Sequence, residues 1–236
     1  MGASRLYVKF VRGMARVGLA RWKVRGELLT QPAVYIVHHQ NMFGPVHALA
    51  LLPLQLQPWA LSVFCSFREC FAQYFHYTFT QRFGLPVVLA FLPALLCSLA
   101  VPPLMRGLRA IRVYRRSRDV VKTMRLSADT LCGGHNVLIC PDKDYSDDDA
   151  AIGTVYRGFL RLEKDYYAKT GQHLSFVPVY CSKKQKRLEL LPPIQFEDGS
   201  FRAQQNQVAE RLAQSLNAAA RRCGDLDCGS GAGVCA

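Results

Sequence analysis

Residues 34–45 constrain the fold of this chain more than any other stretch. The stretch begins with a short apolar run rich in β-branched residues, which predicts a buried strand. His38 and His39 follow the run directly, and Gly44-Pro45 then marks a turn. Proteins of the α/β class present catalytic bases at the carboxyl ends of strands. The stretch therefore predicts either a catalytic base or imidazoles that only cap a strand by hydrogen bonding.

Similar apolar runs recur along the chain and alternate with segments of helical pattern. Further strands are predicted at residues 60–64, 110–114, 136–140, 174–180 and 187–191. Helices are predicted at residues 4–25, 117–132, 153–170 and 201–222, with glycines closing several of them. Because the connections are short, we expect an α/β fold with a mixed, largely parallel central sheet that helices cover.

Composition indicates the kind of partner. The chain has 236 residues, of which 50% are hydrophobic, and it carries a formal net charge of +13. Disordered basic tails have such a charge without the apolar content, so a phospholipid bilayer with an anionic surface is the expected partner. Nucleic acid is the alternative for a basic chain. No zinc-ligand spacing or recognition-helix pattern accompanies the charge, so we expect no nucleic-acid binding.

Two segments predict contact with the membrane. Residues 4–25 have the pattern of a basic amphipathic helix, which either lies in the headgroup layer with its cations towards anionic lipid or covers a sheet. Its basic face carries Arg5, Lys9, Arg12 and Arg16, and its apolar face carries Tyr7, Phe10, Met14 and Val17. Residues 83–105 carry no charge and are long enough to cross a bilayer, but four prolines interrupt them. A membrane-embedded hairpin of two short helices, a true span and a buried core pair all stay open.

These patterns predict three parts of the chain. Residues 1–28 are expected to form a membrane-surface helix, residues 29–222 an α/β domain that includes the apolar segment at 83–105, and residues 223–236 a disordered tail. The expected location is the cytoplasmic face of a membrane. The attachment is peripheral or monotopic, or uses one hydrophobic hairpin or span.

The cysteines and the acidic run predict no further chemistry. Most cysteines stand singly in apolar runs, which is typical of buried thiols in a reducing compartment. Cys140 and Cys181 each end an apolar strand, so packing is expected for them rather than a nucleophilic role in a hydrolase. The run at residues 147–149 lacks the spacing of a calcium loop, so we expect a solvated loop and no metal ion.

Four stretches, at residues 39–41, 111–115, 139–142 and 177–179, occur in a fixed order. They resemble the four sequence blocks of the glycerolipid acyltransferases, the superfamily of the lysophosphatidic acid acyltransferases. The resemblance covers residues 30 to 195 or so and implies an acyltransferase-like α/β fold. It also implies an enzyme of phospholipid biosynthesis at a membrane. Such an enzyme transfers a fatty acyl group from acyl-CoA or acyl carrier protein to a lysophospholipid such as lysophosphatidic acid.

The resemblance further implies roles for individual residues and no cofactor. His39 is the expected general base, since an imidazole accepts a proton near neutral pH. Arg115 closes the second block, where the family binds the phosphate of the acceptor, and a guanidinium can hold a phosphate in a bidentate manner. Other substrate contacts are expected from His38, Asn41, Arg112, Lys143, Asp144 and Tyr145.

One position departs from the first block of the family. There, a histidine is followed after four intervening residues by an aspartate that orients the imidazole, whereas this chain has Gly44. No acidic residue lies between Glu27 and Glu69, so the orienting carboxylate is not local. Asp142, which stands in the third block in place of the family's glutamate, is the candidate catalytic carboxylate. Three outcomes stay open. A carboxylate from residues 142–149 orients His39, or His39 works with a backbone carbonyl alone, or the protein binds lipid without turnover.

Overall fold

The computed structural model describes residues 2–114, 117–142, 149–198 and 201–226. These residues form seven α-helices and seven strands. The helices are α1 (Gly2–Gly18), α2 (Phe43–Leu51), α3 (Phe67–Ala72), α4 (Val87–Gly107), α5 (Ser117–Cys132), α6 (Leu162–Thr170) and α7 (Phe201–Arg222). The strands are β1 (Lys23–Arg25), β2 (Ala33–Val37), β3 (Leu56–Leu61), β4 (Ile111–Val113), β5 (Asn136–Ile139), β6 (Ser175–Ser182) and β7 (Arg187–Leu190).

The chain divides into two compact units. We call the described residues within 1–14 and 57–126 the apolar unit, because it contains the long apolar helix α4. The described residues within 15–56 and 127–236 form the sheet unit, which contains five of the strands and both histidines of the predicted site.

In the sheet unit the strand order is β1-β7-β6-β2-β5. Strand β2 runs parallel to both β5 and β6, β7 is antiparallel to β6, and β1 is parallel to β7. The predicted α/β class with a mixed, largely parallel sheet is therefore confirmed. Since β2, β5 and β6 run in the same direction, the residues that follow Val37, Ile139 and Ser182 meet at one edge, which we call the carboxyl edge.

Burial on both faces explains why the central strands appear as continuous apolar runs. Every residue of β2 and of β6 is buried. On one face Tyr35 and Val37 pack with Ala48 and Leu52 of α2, and alternate residues of the strand point to the other face. At the opposite end of β2 from the carboxyl edge, the side chain of Asn136 accepts a hydrogen bond of 3.0 Å from the Ala33 N–H.

In the apolar unit, β3 and β4 pair in parallel, and α4 is one continuous helix of 21 residues. The predicted hairpin of two short helices is therefore wrong. Pro102 and Pro103 lie close to the end of α4. Pro93 lies in its first half but does not end the helix, because α4 is supported there by packing against α3 and the segment Gln73–Arg82.

The surface of α4 is largely apolar and exposed. Val88, Leu92 and Leu96 are 84%, 60% and 58% exposed, whereas a core helix of a water-soluble protein would bury such side chains. Among the described helices, α4 alone is long and apolar enough to cross a membrane. Length and composition do not separate a span from a helix that lies within one leaflet.

An aromatic segment packs beside α4. It consists of α3 and a π-helix, Gln73–Arg82, that follows α3 directly. Phe71 stacks on Phe75 with ring centroids 5.4 Å apart, and Phe91 of α4 meets Phe71 edge-on at 5.6 Å. The rings therefore form part of the packing between α3, the π-helix and α4.

The apolar side of helix α1 is exposed. Leu6, Phe10 and Val17 of its apolar side are 71%, 62% and 79% exposed. On its basic side, Arg16 donates a hydrogen bond of 2.8 Å from Nε to the main-chain oxygen of Ala50. Arg16 thus satisfies a carbonyl within the sheet unit. Arg5, Lys9 and Arg16 are nevertheless exposed, and the membrane-surface role of the helix stays a prediction.

Two predicted boundaries also need correction. The predicted helix at residues 4–25 ends at Gly18, because Lys23–Arg25 pairs as β1 with β7 instead. The disordered tail predicted from residue 223 begins too early. Cys223 is 3% exposed, and Asp225 accepts a hydrogen bond of 3.0 Å from the Tyr180 hydroxyl.

His173 makes the stability of the sheet unit depend on pH. Its Nδ1 lies 2.6 Å from Oε1 of Glu163, and its Nε2 lies 3.2 Å from Oδ1 of Asp198. The hydrogen bond with Glu163 raises the pKa of His173 above its ordinary value of 6.5, although burial opposes this. The stabilisation is complete below pH 6.5 and is lost as pH rises through the raised pKa.

We therefore expect His173→Gln to lower the free energy of unfolding more at about pH 5.5 than at about pH 8.5. Urea denaturation at both pH values measures the difference. Asp198→Asn is the control, because Asp198 is 93% exposed and should contribute less. An equal loss at both pH values for His173→Gln would contradict the assignment.

Candidate active site

The carboxylate of Asp142 joins the carboxyl ends of β2 and β5. Its Oδ1 is hydrogen-bonded to Nδ1 of His38, and its Oδ2 accepts a hydrogen bond of 3.0 Å from the main-chain N–H of His39. Asp142 and His38 are each 5% exposed, so solvent screens the interaction little. One buried carboxylate thus fixes the ring of one histidine and the main chain of the next.

The ring of His38 is held on both sides. Its Nε2 lies 2.8 Å from the main-chain oxygen of Asp149, while Nδ1 faces Asp142. Both partners are acceptors if Asp142 is ionised, so the two hydrogen bonds form together only when both ring nitrogens carry a proton. In this arrangement His38 ties Asp149 and Asp142 to the end of β2. Its predicted substrate-binding role stays a prediction.

The ring of His39 is in a different state. It is partly exposed, and its Nδ1 accepts a hydrogen bond of 3.2 Å from the main-chain N–H of Met42. A nitrogen that accepts from an amide carries a lone pair, so the ring is neutral in this hydrogen bond, which is the form a general base requires. Asp142 was predicted to orient this ring, but its carboxylate bonds to the main-chain N–H of His39 instead.

The turn after His39 is strained. Gln40, Asn41 and Met42 have φ angles of +44°, +50° and +74°, all in the left-handed region. Each such residue costs about 1–2 kcal/mol relative to right-handed backbone. Residues in such conformations persist only where the surroundings fix them, and they concentrate at functional sites.

Hydrogen bonds within the turn hold this conformation. The N–H of Phe43 donates to the Gln40 oxygen at 3.0 Å, and the N–H of Gly44 donates to the His39 oxygen at 3.2 Å. Since these amides are used inside the turn, the first turn of α2 does not offer them to an oxyanion. In this conformation the turn positions the His39 ring, and the N–H groups of Phe43 and Gly44 do not serve as oxyanion donors.

Gly44 is required by close packing. A β-carbon at this position would overlap the main-chain oxygen of His38 and lie 2.8 Å from Cγ1 of Val37. The obstacle is mainly backbone, which moves less readily than the end of a flexible side chain. An aspartate therefore does not fit at residue 44 in this turn, and a carboxylate has to reach the histidines from another strand.

The remaining predicted site residues are distributed as follows. Asn41 lies in the strained turn of the sheet unit and is exposed. Arg112 is exposed on β4 of the apolar unit, where its main-chain oxygen accepts a hydrogen bond of 2.7 Å from Thr123. Arg115, Lys143, Asp144 and Tyr145 lie outside the described residues.

Two main-chain groups of the site were not predicted from the sequence. Met42 contributes its backbone N–H to the His39 ring, and Asp149 contributes its backbone oxygen to the His38 ring. Because almost every residue carries the same main-chain N–H and C=O groups, the residue type does not reveal such contacts. Asn41 gave a partial signal for the turn, since asparagine is enriched in left-handed backbone.

The buried thiols near the carboxyl edge are poorly suited to nucleophilic catalysis. Burial raises the pKa of Cys181 to about 12 and also raises the pKa of Cys140. Both thiols are therefore neutral at physiological pH, which agrees with a packing role. Within the described ranges, no group of three or more histidine, cysteine or acidic side chains is arranged to hold a metal ion.

Comparison with solved structures relates this arrangement to a known fold. The crystal structure of the 1-acyl-sn-glycerophosphate (LPA) acyltransferase PlsC from Thermotoga maritima superposes with a TM-score of 0.53. The match covers 90% of this chain and 79% of that chain, at 13% sequence identity. The chain has the fold of a glycerolipid acyltransferase. No protein-family model matches the chain, and no curated protein matches it by sequence.

In this acyltransferase fold, we expect Gly44→Asp to destabilise the protein rather than to restore a histidine–aspartate pair at His39. The added β-carbon overlaps the His38 carbonyl, and overpacking of this kind costs about 1–3 kcal/mol. Gly44→Ala separates the steric effect from the charge. Denaturant unfolding of both variants measures the loss.

Gly153→Ala is the matched control, since a β-carbon there would meet no atom within 4 Å. It should unfold close to wild type. Wild-type stability for Gly44→Asp together with increased activity would show that the turn accommodates an aspartate after all.

Proposed function

We propose that this protein is a membrane-associated acyltransferase. It would move a fatty acyl group from an acyl-CoA or acyl carrier protein thioester to the hydroxyl of a lysophospholipid such as lysophosphatidic acid. The observation that carries the proposal is a neutral, partly exposed His39 at the carboxyl end of β2, held on a strained turn in a glycerolipid acyltransferase fold. The cytoplasmic face of the membrane is the proposed location.

In the proposed reaction, His39 accepts a proton at Nδ1. The acceptor hydroxyl replaces the Met42 N–H as the partner of this nitrogen, since that hydrogen bond is exposed and, at 3.2 Å, long. The hydroxyl oxygen attacks the thioester carbonyl, and its proton passes to His39. When the C–S bond breaks, the proton passes to the leaving thiolate, and an ester and a thiol are formed.

His38 and Asp142 are proposed as positioning residues. Asp142 acts on His39 through the main-chain N–H, and His38 holds Asp142 in place from the other side. Removing one partner of a buried, charge-assisted hydrogen bond leaves the other unsatisfied, which destabilises more than the bond itself contributes. The turn that carries His39 would therefore relax if either residue were changed.

The proposed acceptor phosphate site rests on the sequence resemblance. Arg112 and Arg115 are the candidates, because a guanidinium can bind two phosphate oxygens at once. Lys143, Asp144, Tyr145 and Asn41 are proposed to make further contacts with the substrates, and no cofactor is proposed.

Membrane association is supported within the apolar unit. The exposed apolar residues of α4 and the outward apolar face of α1 would contact acyl chains, since large apolar side chains are stabilised by leaving water. Inside this unit, Gly107 lets α1 approach α4 closely. A β-carbon at Gly107 would overlap the main-chain oxygen of Ser4.

A lipid-binding protein without turnover is the second candidate. Two observations favour it. Gly44 leaves no room for the aspartate of the family, and Asp142 bonds to the ring of His38 rather than to that of His39. Such a protein would bind anionic vesicles yet release no thiol from any acyl donor.

We expect purified protein to release thiol from oleoyl-CoA when lysophosphatidic acid is present. His39→Ala should lower the rate by about 10²–10⁴-fold, the usual contribution of a general base. A thiol-reactive chromophore measures the release. Asp142→Asn and His38→Gln should lower the rate less, since they act through the turn.

His47→Gln is the matched histidine control. His47 is buried and packs against Trp22 and Phe43, with tilted rings whose centroids lie 4.2 Å and 4.0 Å from that of His47. Burial lowers the pKa of His47 below its ordinary value of 6.5, so the His47 ring is neutral at physiological pH. Equal thiol release by wild type and by a folded His39→Ala variant would exclude the proposed role of His39.

We expect Val88→Asn/Leu92→Asn to weaken binding to phospholipid vesicles, because both side chains are exposed on α4. Flotation with vesicles measures the bound fraction. Val121→Asn/Leu126→Asn is matched in residue type and lies on α5, where the side chains are 68% and 50% exposed. An equal loss for both pairs would show that α4 is not the contact.

A further inference from the structure

The turn between β6 and β7 is strongly basic and lies at the carboxyl edge. Residues 183–187 contain four cations and one glutamine, and residues 183–186 are exposed. The edge strand β1 adds Lys23 and Arg25, which pair in register with Arg187 and Glu189 of β7. We call these residues the basic surface, namely Lys23, Arg25, Lys183, Lys184, Lys186 and Arg187.

Contacts with the end of α7 fix the shape of this turn. The main-chain N–H of Lys184 donates to Asp225 at 3.1 Å, and the side chain of Gln185 donates to the Cys223 oxygen at 3.1 Å. On the other side, the N–H of Lys23 donates to the Lys186 oxygen at 3.1 Å. The cations are therefore held on an ordered scaffold instead of a loosely attached loop.

The acidic side chains in this region are occupied by internal contacts. Glu189 lies 2.5 Å from Arg187 and 3.3 Å from Arg222. Asp225 accepts from Tyr180 and from the Lys184 N–H. The described cations of the region thus outnumber the acids, and the surface carries a net positive charge.

The basic surface is continuous with the candidate active site. Nζ of Lys183 lies 5.1 Å from the centre of the Phe43 ring, and Phe43 packs on Trp22 at 5.6 Å. Phe43 directly follows Met42, whose N–H binds the His39 ring. The cations and the proposed base are therefore joined through Phe43 and Met42 within one unit.

Exposed apolar side chains accompany the cations. Met42 is 52% exposed in the strained turn, and Val46 is 46% exposed in the first turn of α2. An ordered surface that combines cations with exposed apolar residues matches a bilayer, which offers phosphate groups above acyl chains. Single-stranded nucleic acid would call for exposed aromatic rings, whereas Trp22 and Phe43 pack on each other.

We propose that the basic surface docks the sheet unit on an anionic phospholipid bilayer, with the His39 turn facing the headgroups. The docking would be separate from the contact proposed for α4, and it would present the site to an acceptor lipid that stays in the membrane. This purpose rests on the proposed acyltransferase function, whereas the docking itself rests only on charge and exposure.

Trp22 provides a local reporter of this docking. The chain has two tryptophans, so Trp59→Phe leaves Trp22 as the only tryptophan, beside Lys23 and Phe43, and its emission can be excited selectively. The full chain is mixed with phosphatidylcholine vesicles that contain brominated lipid as quencher, with or without phosphatidylglycerol. Trp22 should be quenched on the anionic vesicles and much less on the neutral ones.

The test variant is Lys23→Gln/Lys183→Gln/Lys186→Gln, which leaves the anchoring contacts of Lys184 and Arg187 in place. Each cation near an anionic bilayer contributes about 1 kcal/mol, so partition of the Trp22 region should fall on the order of 10- to 100-fold. Lys164→Gln/Arg202→Gln/Arg211→Gln is the matched control, since it removes three exposed cations from α6 and α7. It should stay within about twofold of wild type.

Equal quenching in the two triple variants would overturn the proposal. So would an unquenched Trp22 in a protein that floats with anionic vesicles, because α4 would then hold the protein while the basic surface faces elsewhere. A larger change in Trp22 fluorescence on adding a soluble acidic protein than on adding anionic vesicles would also overturn it, because the basic surface would then prefer a protein partner.

If the Trp59→Phe variant does not fold, flotation with vesicles provides a second measurement. For this measurement both triple variants are made in the protein that retains Trp59. The anion-dependent part of binding should fall only for the test variant, and an equal fall in both would again reject docking. Thiol release with a soluble short-chain acceptor tests the acyltransferase function separately. Anion-dependent quenching without thiol release would reject that function and leave the docking in place.

Discussion

The candidate site depends on one buried carboxylate between two parallel strands. Ile36 of β2 pairs with Ile139 of β5, so the chain that follows each strand emerges at the same edge, where Asp142 meets both His38 and His39. Because the carboxylate bonds to a ring on one side and to a main-chain N–H on the other, it links side-chain and backbone geometry. Without it, a buried imidazole would lose its acceptor at Nδ1, and the strained turn would lose a restraint.

This arrangement gives the two histidines different environments. His38 lies between two acceptors in the interior, and His39 receives an N–H from its own turn at the surface. In the family pattern, the carboxylate acts directly on the catalytic ring. Here the close approach of Gly44 to the His38 carbonyl leaves no room for that carboxylate, so control over the ring passes through backbone groups. Backbone amides are rigid, which favours a precise position for the ring over a strong polarising charge.

The two units expose different kinds of side chain, and each kind suits the membrane contact proposed for that unit. In the apolar unit, α4 and α1 expose large apolar side chains that a water-soluble protein would bury. In the sheet unit, the exposed cations lie on an ordered turn beside the site. Acyl chains would stabilise the first kind of surface through the hydrophobic effect, and anionic headgroups would attract the second kind.

The sequence by itself determined where most strands and helices occur. Residues 201–222 form α7 as predicted, and Gly171 ends α6 with φ of +69°, because local periodicity and capping decide these features. Only the tertiary structure decided which histidine Asp142 binds. Neighbouring residues after a strand point in different directions, and the register of β2 with β5 selects between them. It also decided that residues 23–25 become β1 and that Arg16 binds the Ala50 oxygen, since both depend on partners far away in the chain.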